Sequence, residues 1–410
     1  MEDRERGEWI MDAGNQMGHA IIVFTESPEG RGKSDMLQEL LFCPIGGWIV
    51  QALSKLGVKR FFALCHETEQ AAVAGCFPET VSVEFGSTRE DLMIFLEQEE
   101  RGQIVAVTKP VLITAAAANQ LASHMPWPAG RANGGVYRLG ADVLRETLQG
   151  WTDGLVAALE KAGGEPYAPA DGTLLRPVST SLELYRAQST GQQEIVHRHL
   201  ENGVFFIDLD TVYIDPRVKI GAGTTILPGT ILKGKTVIGE GCEIGPNSML
   251  SNCVVGDETT VNASQCSDST IGAHTKVGPF AYIRPNCRIG DNVKVGDFVE
   301  VKNSVLGDGT KVSHLTYVGD SDIGEGVNLG CGTVTVNYDG KAKARTVVKD
   351  GAFVGCNANL IAPVTVAEGA YVAAGSTITD DVPAESLAIA RSRQENKLHW
   401  TAKPENNKSI

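Results

Sequence analysis

A histidine and three cations in the second half of the chain could handle a proton and a phosphate group. His314 lies in the polar stretch of residues 313–317, and the pKa of imidazole suits proton transfer near neutral pH. Glu300 precedes it by 14 residues and could orient the ring. Arg284, Lys302 and Lys343 carry positive charge, and the guanidinium fork matches phosphate oxygens. A structural histidine and solvated surface charges are the competing interpretation.

The residues around this group follow a strict period of six. Beyond Gly203 an aliphatic residue recurs at every sixth position, which is typical of a solenoid. Three such sides make an 18-residue coil, because each short strand points one aliphatic residue inward and Gly, Asp or Asn turns the corner. The aliphatic residues are Ile214, Ile220, Ile226, Leu232, Ile238, Ile244, Leu250, Ile271, Val277, Ile283, Ile289, Val295, Val301, Leu306, Val312, Val318, Val354, Leu360, Val366, Val372 and Ile378.

This repeat predicts a column of stacked coils. Residues 214–378 give roughly nine coils and a height of about 40 Å. Arg284 and Lys302 are 18 residues apart, so we expect them to stack on one face near His314. The period slips near residues 252–270 and 336–347, which predicts two insertions that loop out. Alternating β-hairpins would show a period of two without the six-residue repeat.

The first half of the chain alternates apolar strands with helices. A β-α-β unit is predicted, with a helix between two buried strands, and this indicates a parallel sheet with helices on its faces. The helix covers residues 45–56, and the strands cover residues 20–24, 60–64, 104–108 and 135–139. The predicted organisation is a tail at 1–17, an α/β domain at 18–181, a connecting helix at 182–203, a repeat domain at 204–381 and a tail at 382–410.

Composition excludes several classes of protein. The 410 residues carry a net charge of −14, with 6% aromatic residues and 46 glycines. We expect no nucleic-acid binding, because a binding surface needs clustered Lys and Arg. Short apolar runs and a polar N-terminus predict neither a membrane span nor a signal peptide, so we expect a cytoplasmic protein. Nine scattered cysteines without a Cys-x-x-Cys pair predict buried free thiols.

The repeats resemble the hexapeptide-repeat acyltransferases, whose fold is a left-handed parallel β-helix. Several segments are similar to the acetyltransferase half of the bifunctional GlmU-type enzymes, which join a glucosamine-1-phosphate acetyltransferase to an N-acetylglucosamine-1-phosphate uridyltransferase. The resemblance covers about residues 203–400, in segments such as GPFAYIRP, VGDFVEVKNS, HLTYVGD, VNLGCGTVTVNYDGK and FVGCNANLIAPVTV. It implies the left hand of the helix, acetyl-CoA as co-substrate and a homotrimer.

The same resemblance assigns roles to individual residues. His314 becomes the general base, because the acceptor amine must lose a proton. The implied phosphate and sugar contacts are Arg284, Lys302, Tyr317, Asn328 and Lys343. The implied acetyl-CoA contacts are Cys331, Cys356, Ala374 and Arg391, with Asn337 and Tyr338 near the amine. Two positions depart from the family, since Cys331 replaces a common Ala and Cys356 a common Ser. The backbone N–H of Cys356 could still face an oxyanion.

The first half resembles the nucleotidyltransferase (Rossmann-like) domain of that family, but in degenerate form. Its glycine-rich phosphate loop aligns with residues 24–34, where Arg31 and Ser34 match but Glu29 replaces a glycine and Glu26 adds a second carboxylate. Two carboxylates repel a triphosphate, and Pro28 removes a donor.

The remaining nucleotide and metal positions are altered in the same way. The family's Pro-Lys reads Leu37–Gln38, its metal-binding Gly-Asp falls near Val107–Thr108, and its second metal ligand aligns with Ser179. Mg²⁺ needs hard oxygen ligands, so none is expected to bind. Asn133 is the one sugar contact of this domain that still matches.

The sequence therefore predicts acetyl transfer from acetyl-CoA to glucosamine-1-phosphate for cell-envelope synthesis, with uridyltransferase activity lost. One alternative is an enzyme that keeps both activities, and another is a non-catalytic partner of a complete paralogue. A zinc enzyme of the γ-carbonic-anhydrase type is disfavoured, because only His274 and His314 lie in the coils.

Overall fold

The computed structural model describes residues 17–23, 33–98, 102–122, 135–149, 154–161, 165–166, 175–398 and 400–401. The chain forms two compact units. The first comprises residues up to 220 together with 231–236, and the second comprises 221–230 and 237–410. The predictions for Glu26, Pro28, Glu29, Arg31, Asn133, residues 1–16 and residues 402–410 concern positions outside the described ranges. Within those ranges no helix is long and apolar enough to cross a membrane.

The first unit contains a six-stranded sheet flanked by helices. The strands of this unit up to helix α7, which include four outside that sheet, are β1 (Met17–Val23), β2 (Glu39–Leu40), β3 (Cys43–Pro44), β4 (Arg60–Leu64), β5 (Ser82–Gly86), β6 (Gln103–Val107), β7 (Val111–Ile113), β8 (Val136–Gly140), β9 (Glu165–Pro166) and β10 (Leu175–Pro177). Its helices are α1 (Ile45–Lys55), α2 (Gln70–Ala74), α3 (Arg89–Glu97), α4 (Ala115–Ala122), α5 (Ala141–Gln149), α6 (Leu155–Lys161) and α7 (Ser181–Glu201), with 3-10 turns at Asp35–Leu37 and Glu67–Glu69.

The predicted β-α-β unit is present, but the sheet is mixed. Its strand order is β5-β4-β1-β6-β8-β9, and β4, β1 and β6 run parallel. The expectation of a parallel sheet was wrong for β8, which runs antiparallel to β6 with Gln103 opposite Gly140. The strand enters the sheet from the opposite end, so its direction is reversed. Helices α3, α5 and α6 cover the buried Phe62 and Tyr137.

Local signals set the ends of the two helices that were predicted. Helix α1 ends where Gly57 takes a positive φ of 90°, which glycine adopts without strain. Helix α7 begins with a capping box, because Thr180 and Glu183 each bond the backbone of the other; this reciprocal pairing satisfies free amides at the helix start. A helix is therefore observed at Ser181–Glu201, close to the bounds 182–203 predicted for a connecting helix, and it belongs to the first unit.

Short strands fill the rest of the chain in order. They are β11 (Phe205–Phe206), β12 (Tyr213–Ile214), β13 (Lys219–Ile220), β14 (Thr225–Ile226), β15 (Ile231–Lys233), β16 (Val237–Ile238), β17 (Glu243–Ile244), β18 (Met249–Ser251), β19 (Val254–Val255), β20 (Thr260–Val261), β21 (Gln265–Ser267), β22 (Thr270–Ile271), β23 (Lys276–Val277), β24 (Tyr282–Ile283), β25 (Arg288–Ile289), β26 (Lys294–Asp297), β27 (Glu300–Lys302), β28 (Val305–Leu306), β29 (Lys311–His314), β30 (Tyr317–Gly319), β31 (Ser321–Ile323), β32 (Asn328–Leu329), β33 (Val334–Val336), β34 (Thr346–Val348), β35 (Phe353–Val354), β36 (Asn359–Ile361), β37 (Val364–Val366), β38 (Tyr371–Val372), β39 (Thr377–Ile378) and β40 (Leu387–Ala388).

Three parallel stacks of these strands build the second unit, because each strand up to β36 pairs with the third one after it and β38 pairs with β40. One stack runs β14-β17-β20-β23-β26-β29-β32-β35-β38-β40, a second runs from β18 to β39, and the third runs from β16 to β37. The aliphatic residue of each repeat is buried; Val295, Val312 and Leu329, for example, lie one above another. The predicted column of parallel coils is confirmed.

The two slips in the repeat have opposite causes. Near residues 252–270 the predicted insertion was wrong, because the coils there are shortened. Leu250 pairs with Cys266, and Asn252 turns its corner with a φ of 51°. The insertion at 336–347 is present, since Ser321 pairs with Thr346 across a coil that is lengthened by a loop.

Substitution of Gly296 tests how closely two coils must approach each other beside His314. A Cβ at Gly296 would overlap the carbonyl oxygen of Ser313 on the next coil. We expect Gly296→Ala to lower the free energy of unfolding by about 3 kcal/mol, because overpacking moves backbone. Gly309→Ala is the matched control, since no atom lies within 4 Å and only its φ of 68° is unfavourable; about 1 kcal/mol is expected there. Equal losses in urea unfolding would contradict this account.

Candidate active site

The predicted base is held by a carboxylate on the coil below it. Asp297 and His314 are register partners in β26 and β29, and Nδ1 of His314 contacts Oδ1 of Asp297. The hydrogen bond from His314 holds the pKa of Asp297 below its usual value, so the carboxylate accepts and Nδ1 donates. The lone pair of Nε2 is then left to take a proton. The expectation that Glu300 orients this ring was wrong.

Glu300 instead holds the arginine that was predicted to bind phosphate. Oε1 of Glu300 accepts a bond of 2.8 Å from Nη1 of Arg284, and the guanidinium lies 5.9 Å from the ring centre of Tyr282. This bond with Glu300 raises the pKa of Arg284. The 18-residue spacing is confirmed as one coil, because Tyr282 and Glu300 are register partners and the amide of Arg284 donates to Val301.

A buried carboxylate organises the other two predicted cations. Asp320 is 6% exposed and has a φ of 48°. Its Oδ1 accepts from Asn303 at 2.6 Å, and its Oδ2 accepts from Asn337. Burial raises the pKa of Asp320, but these hydrogen bonds and the charges of Lys302 and Lys343 together lower it by more. The pKa therefore lies below 3.8, the ordinary value of an aspartate. Asp320 therefore carries a negative charge that attracts Lys302 and Lys343.

The inserted loop carries several of the predicted residues and is itself a hairpin. Tyr338 and Lys343 form an antiparallel β-bridge. Oδ1 of Asp339 accepts hydrogen bonds of 2.7 Å from the amides of residues 341 and 342. Arg345 anchors the end of the hairpin through the carboxylate of Asp322. Asn337 at its start reaches the hydroxyl of Tyr317 at 3.5 Å as well as Asp320. The hairpin thus brings Asn337 and Lys343 to Tyr317 and Lys302.

The residues implied for acetyl-CoA follow one corner of the column above His314. Leu315 accepts from the amide of Gly332 at 3.1 Å, the carbonyl of Cys331 accepts from Asn357 at 2.8 Å, and the carbonyl of Cys356 accepts from Gly375 at 2.8 Å. Ala374 and the exposed Arg391 continue this corner, with Cδ of Arg391 placed 3.8 Å from a Cβ at Gly375. One edge therefore joins the candidate base to these positions.

The burial of two cysteines on this edge differs from the expectation. The prediction that the cysteines are buried was wrong for Cys356, which is exposed, and Cys331 is half-buried, although the other seven are buried. A Cβ at Gly330 would lie 2.6 Å from the amide nitrogen of Cys356, so glycine is needed there. Asn328 stands apart from the lysines, in the stack of β29 and β32 and opposite Lys311 and Phe353.

Sequence reasoning missed Asp297 and Asp320. The signal for Asp297 was its distance of one 17-residue coil from His314, since Val295 lies under Val312 here. Asp320 carries no periodic signal, because its partners come from a corner and from the inserted hairpin.

The residues at the family's metal positions in the first unit, Val107, Thr108 and Ser179, carry no carboxylate. Val107 is buried, and the hydroxyl of Thr108 donates to Gly135 at 3.3 Å. The amide of Ser179 donates to Glu183 beside the capping box of α7. Among the described residues no group of three His, Cys, Asp or Glu side chains could hold a metal ion.

The stacked coils and their six-residue repeat define a left-handed hexapeptide-repeat β-helix joined to an α/β unit. The family model "Bacterial transferase hexapeptide (six repeats)" matches residues 268–303. The chain is similar to bifunctional GlmU proteins of several bacteria. It is 56% identical over 223 residues to "Bifunctional protein GlmU" of Geobacillus sp. (strain WCH70), which covers 54% of this chain and 49% of the relative.

Two further relatives match over a larger share of the chain. The same-named protein of Brevibacillus brevis is 48% identical over 267 residues, 64% of this chain and 58% of the relative. That of Alkaliphilus metalliredigens is 45% identical over 285 residues, 66% of this chain and 62% of the relative. The chain thus spans 49 to 62% of the length of these relatives.

Asp320→Asn tests the buried carboxylate. The new amide group would turn a donor toward the Asn303 or Asn337 donor, and we expect a loss of about 1–3 kcal/mol in the free energy of unfolding at pH 7. Because the pKa of Asp320 is lowered on folding, the stabilisation is present above 3.8 and disappears as the pH falls through the folded-state value. Urea unfolding at several pH values measures both. A pH-independent difference would contradict the ionised assignment.

Proposed function

We propose that the column transfers the acetyl group of acetyl-CoA to the amine of glucosamine-1-phosphate. The observation that carries the proposal is the His314–Asp297 pair at the foot of the edge that runs through Cys331, Cys356 and Ala374. The names of the relatives, which describe a bifunctional GlmU protein, agree with this activity.

In the proposed reaction His314 takes the proton that the amine must lose. Asp297 receives the Nδ1 hydrogen bond, fixes the tautomer and would stabilise the imidazolium that forms. The amine nitrogen forms a bond to the thioester carbonyl carbon, and the carbon–sulfur bond breaks to release the CoA thiolate. The proton on His314 then passes to that sulfur, so that the base returns to its neutral form.

Charge and hydrogen bonding place the acceptor in this proposal. Arg284 and Lys302 would bind the phosphate, with Lys343 added by the hairpin, and Glu300 presents the guanidinium in one orientation. Tyr317 would contact the sugar, and Asn337 and Tyr338 would lie near the amine. The backbone amide of Cys356 would donate to the developing oxyanion, and Arg391 would bind the CoA. We expect the complete site in a homotrimer.

Loss of the base should abolish thiol release from acetyl-CoA in the presence of glucosamine-1-phosphate. We expect His314→Ala to lower kcat/KM by about 100-fold or more, because general-base catalysis contributes that much. Asp297→Asn should lower kcat by about tenfold while leaving KM unchanged, as a positioning residue would. The matched control is His274→Ala, since His274 makes a similar corner pair with Glu258 at 3.2 Å. If His314→Ala and His274→Ala gave equal rates, the assignment of His314 as the general base would be wrong.

We further propose that the first unit does not transfer uridylyl groups. The support is the set of residues at the metal positions, where Val107, Thr108 and Ser179 present no carboxylate. With UTP, N-acetylglucosamine-1-phosphate and Mg²⁺ we expect no pyrophosphate release, while a full-length GlmU relative in the same assay gives the positive control. Magnesium-dependent pyrophosphate release by this chain would favour the enzyme with both activities.

A further inference from the structure

Three successive coils of the second unit carry the same pair of exposed side chains. Each has a lysine one residue before its buried aliphatic residue and a bulky apolar residue three after it, in the segments KVGPF, KVGDF and KVSHL. The coils above have Asn, Phe or Tyr in place of the lysine and Gly or Asn in place of the apolar residue. The lysine–apolar patch is defined as Lys276, Phe280, Lys294, Phe298, Lys311 and Leu315.

The three lysines of the patch form a ladder of like charges. Lys276 and Lys294 are register partners, and so are Lys294 and Lys311. Neighbouring strands lie about 4.8 Å apart, and like charges directly opposite each other destabilise a sheet. All three lysines are exposed, and within the described ranges none of their ammonium groups makes a hydrogen bond or a salt bridge. The column therefore presents a row of unpaired positive charges on one face.

The apolar half of the patch has a backbone conformation that bulky residues avoid. Phe280, Phe298 and Leu315 have φ values of 59°, 56° and 48°, and they are 60%, 58% and 58% exposed. The two phenyl rings stack with their centres 5.5 Å apart. Left-handed backbone is costly for bulky residues and is concentrated at functional sites. Exposed apolar side chains held at such positions indicate a surface that another molecule covers.

The corner before these strands carries a row of carboxylates, four residues before the buried aliphatic residue of each coil. This acidic edge consists of Glu240, Asp257, Asp291, Asp308, Glu325, Asp350 and Glu368, and the coil of Lys276 has Ala273 at that position. Oδ1 of Asp291 accepts from the amide of Ala273 at 2.7 Å, and Oδ1 of Asp308 accepts from the amide of Asp291 at 2.8 Å. These bonds use one oxygen of each exposed carboxylate, so the other is available to an external cation.

The acidic edge matches the lysine ladder in sign and spacing. Both rows repeat once per coil, because both are fixed relative to the same buried residue. In a ring of identical columns with parallel axes, each coil meets the same coil of its neighbour. Lys294 then lies level with Asp291 of the partner subunit, and Lys311 lies level with Asp308 of the partner subunit. Two different surfaces meet in such a contact, so a rotation closes it into a ring, and a homotrimer is one such ring.

We propose that the lysine–apolar patch binds the acidic edge of a second copy of this chain, with Lys294 and Lys311 paired to Asp291 and Asp308 of the partner subunit. The apolar side chains of the patch would fill the centre of the contact, and the ion pairs would form its rim. His314 directly precedes Leu315, so the contact would bring the second copy next to the proposed base. The proposal deepens the homotrimer expected for acetyl transfer, but its test needs no reaction.

Sedimentation equilibrium of the full chain without substrates tests the lysine ladder. We expect an oligomer whose dissociation constant rises about 30-fold or more in Lys294→Glu, because the new carboxylate would face the acidic edge. Arg288→Glu is the matched control, since Arg288 is an exposed cation one strand earlier but lies in another stack, in β25. Its dissociation constant should change less than about twofold.

The acidic edge has its own pair of variants. Asp308→Asn keeps an oxygen for the amide of Asp291 and removes only the charge, so the dissociation constant should rise about fivefold. Asp350→Asn is the control, because Oδ1 of Asp350 accepts from the amide of Glu325 at 2.8 Å in the same way. The coil of Asp350 carries Phe353 in place of a lysine, so association should not change.

Phe298→Asn tests the apolar half of the patch. Asn adopts left-handed backbone more readily than Phe, so the fold should be kept while the dissociation constant rises about tenfold. A chain that is monomeric at every concentration would overturn the proposal and leave the patch to another partner. Equal effects of Lys294→Glu and Arg288→Glu, or of Asp308→Asn and Asp350→Asn, would also overturn it. An oligomer that responds as expected but transfers no acetyl group would overturn only the proposed function.

Discussion

The register of the stacked coils is the constraint on which the candidate site depends. Each short strand pairs with the strand one coil away, so a side chain at a corner lies directly over its counterpart 16 to 18 residues earlier, except across the inserted hairpin. Asp297 meets His314 only because Val295 lies under Val312. A shift of one residue would move the carboxylate away from the ring and turn the buried aliphatic residues outward. Packing of the core therefore also fixes the chemistry at the surface.

The buried carboxylate of Asp320 holds other residues of the candidate site in position. The hydrogen bonds that Asp320 accepts from Asn303 and Asn337 join a corner of the column to the inserted hairpin. The carboxylate also balances Lys302 and Lys343, which would otherwise repel each other. A phosphate that binds to these lysines would meet a pre-arranged pair of cations, because the hairpin is already tied down.

The sequence predicts the column far better than its details. The six-residue repeat determines the coils, since one aliphatic residue must face inward on each side. The coil length is less regular: one residue fewer between Val295 and Val312 places Asp297 under His314, where a full 18-residue coil would place Gly296. Asp320 was not predicted because its hydrogen-bond partners lie at a corner of another coil and in the inserted hairpin. The reversed direction of β8 depends on how the sheet edge is completed, which a pattern of strands and helices does not encode.

The central claim is that the column moves an acetyl group to an amine through His314. The most direct measurement incubates the full chain with acetyl-CoA labelled with ¹³C at the carbonyl and with glucosamine-1-phosphate, and follows the label by carbon NMR. The account predicts that the thioester signal gives way to an amide signal on the sugar nitrogen, in the natural chain and not in His314→Ala. A thioester signal that persists with the natural chain, or an amide signal that forms equally fast without His314, would contradict it.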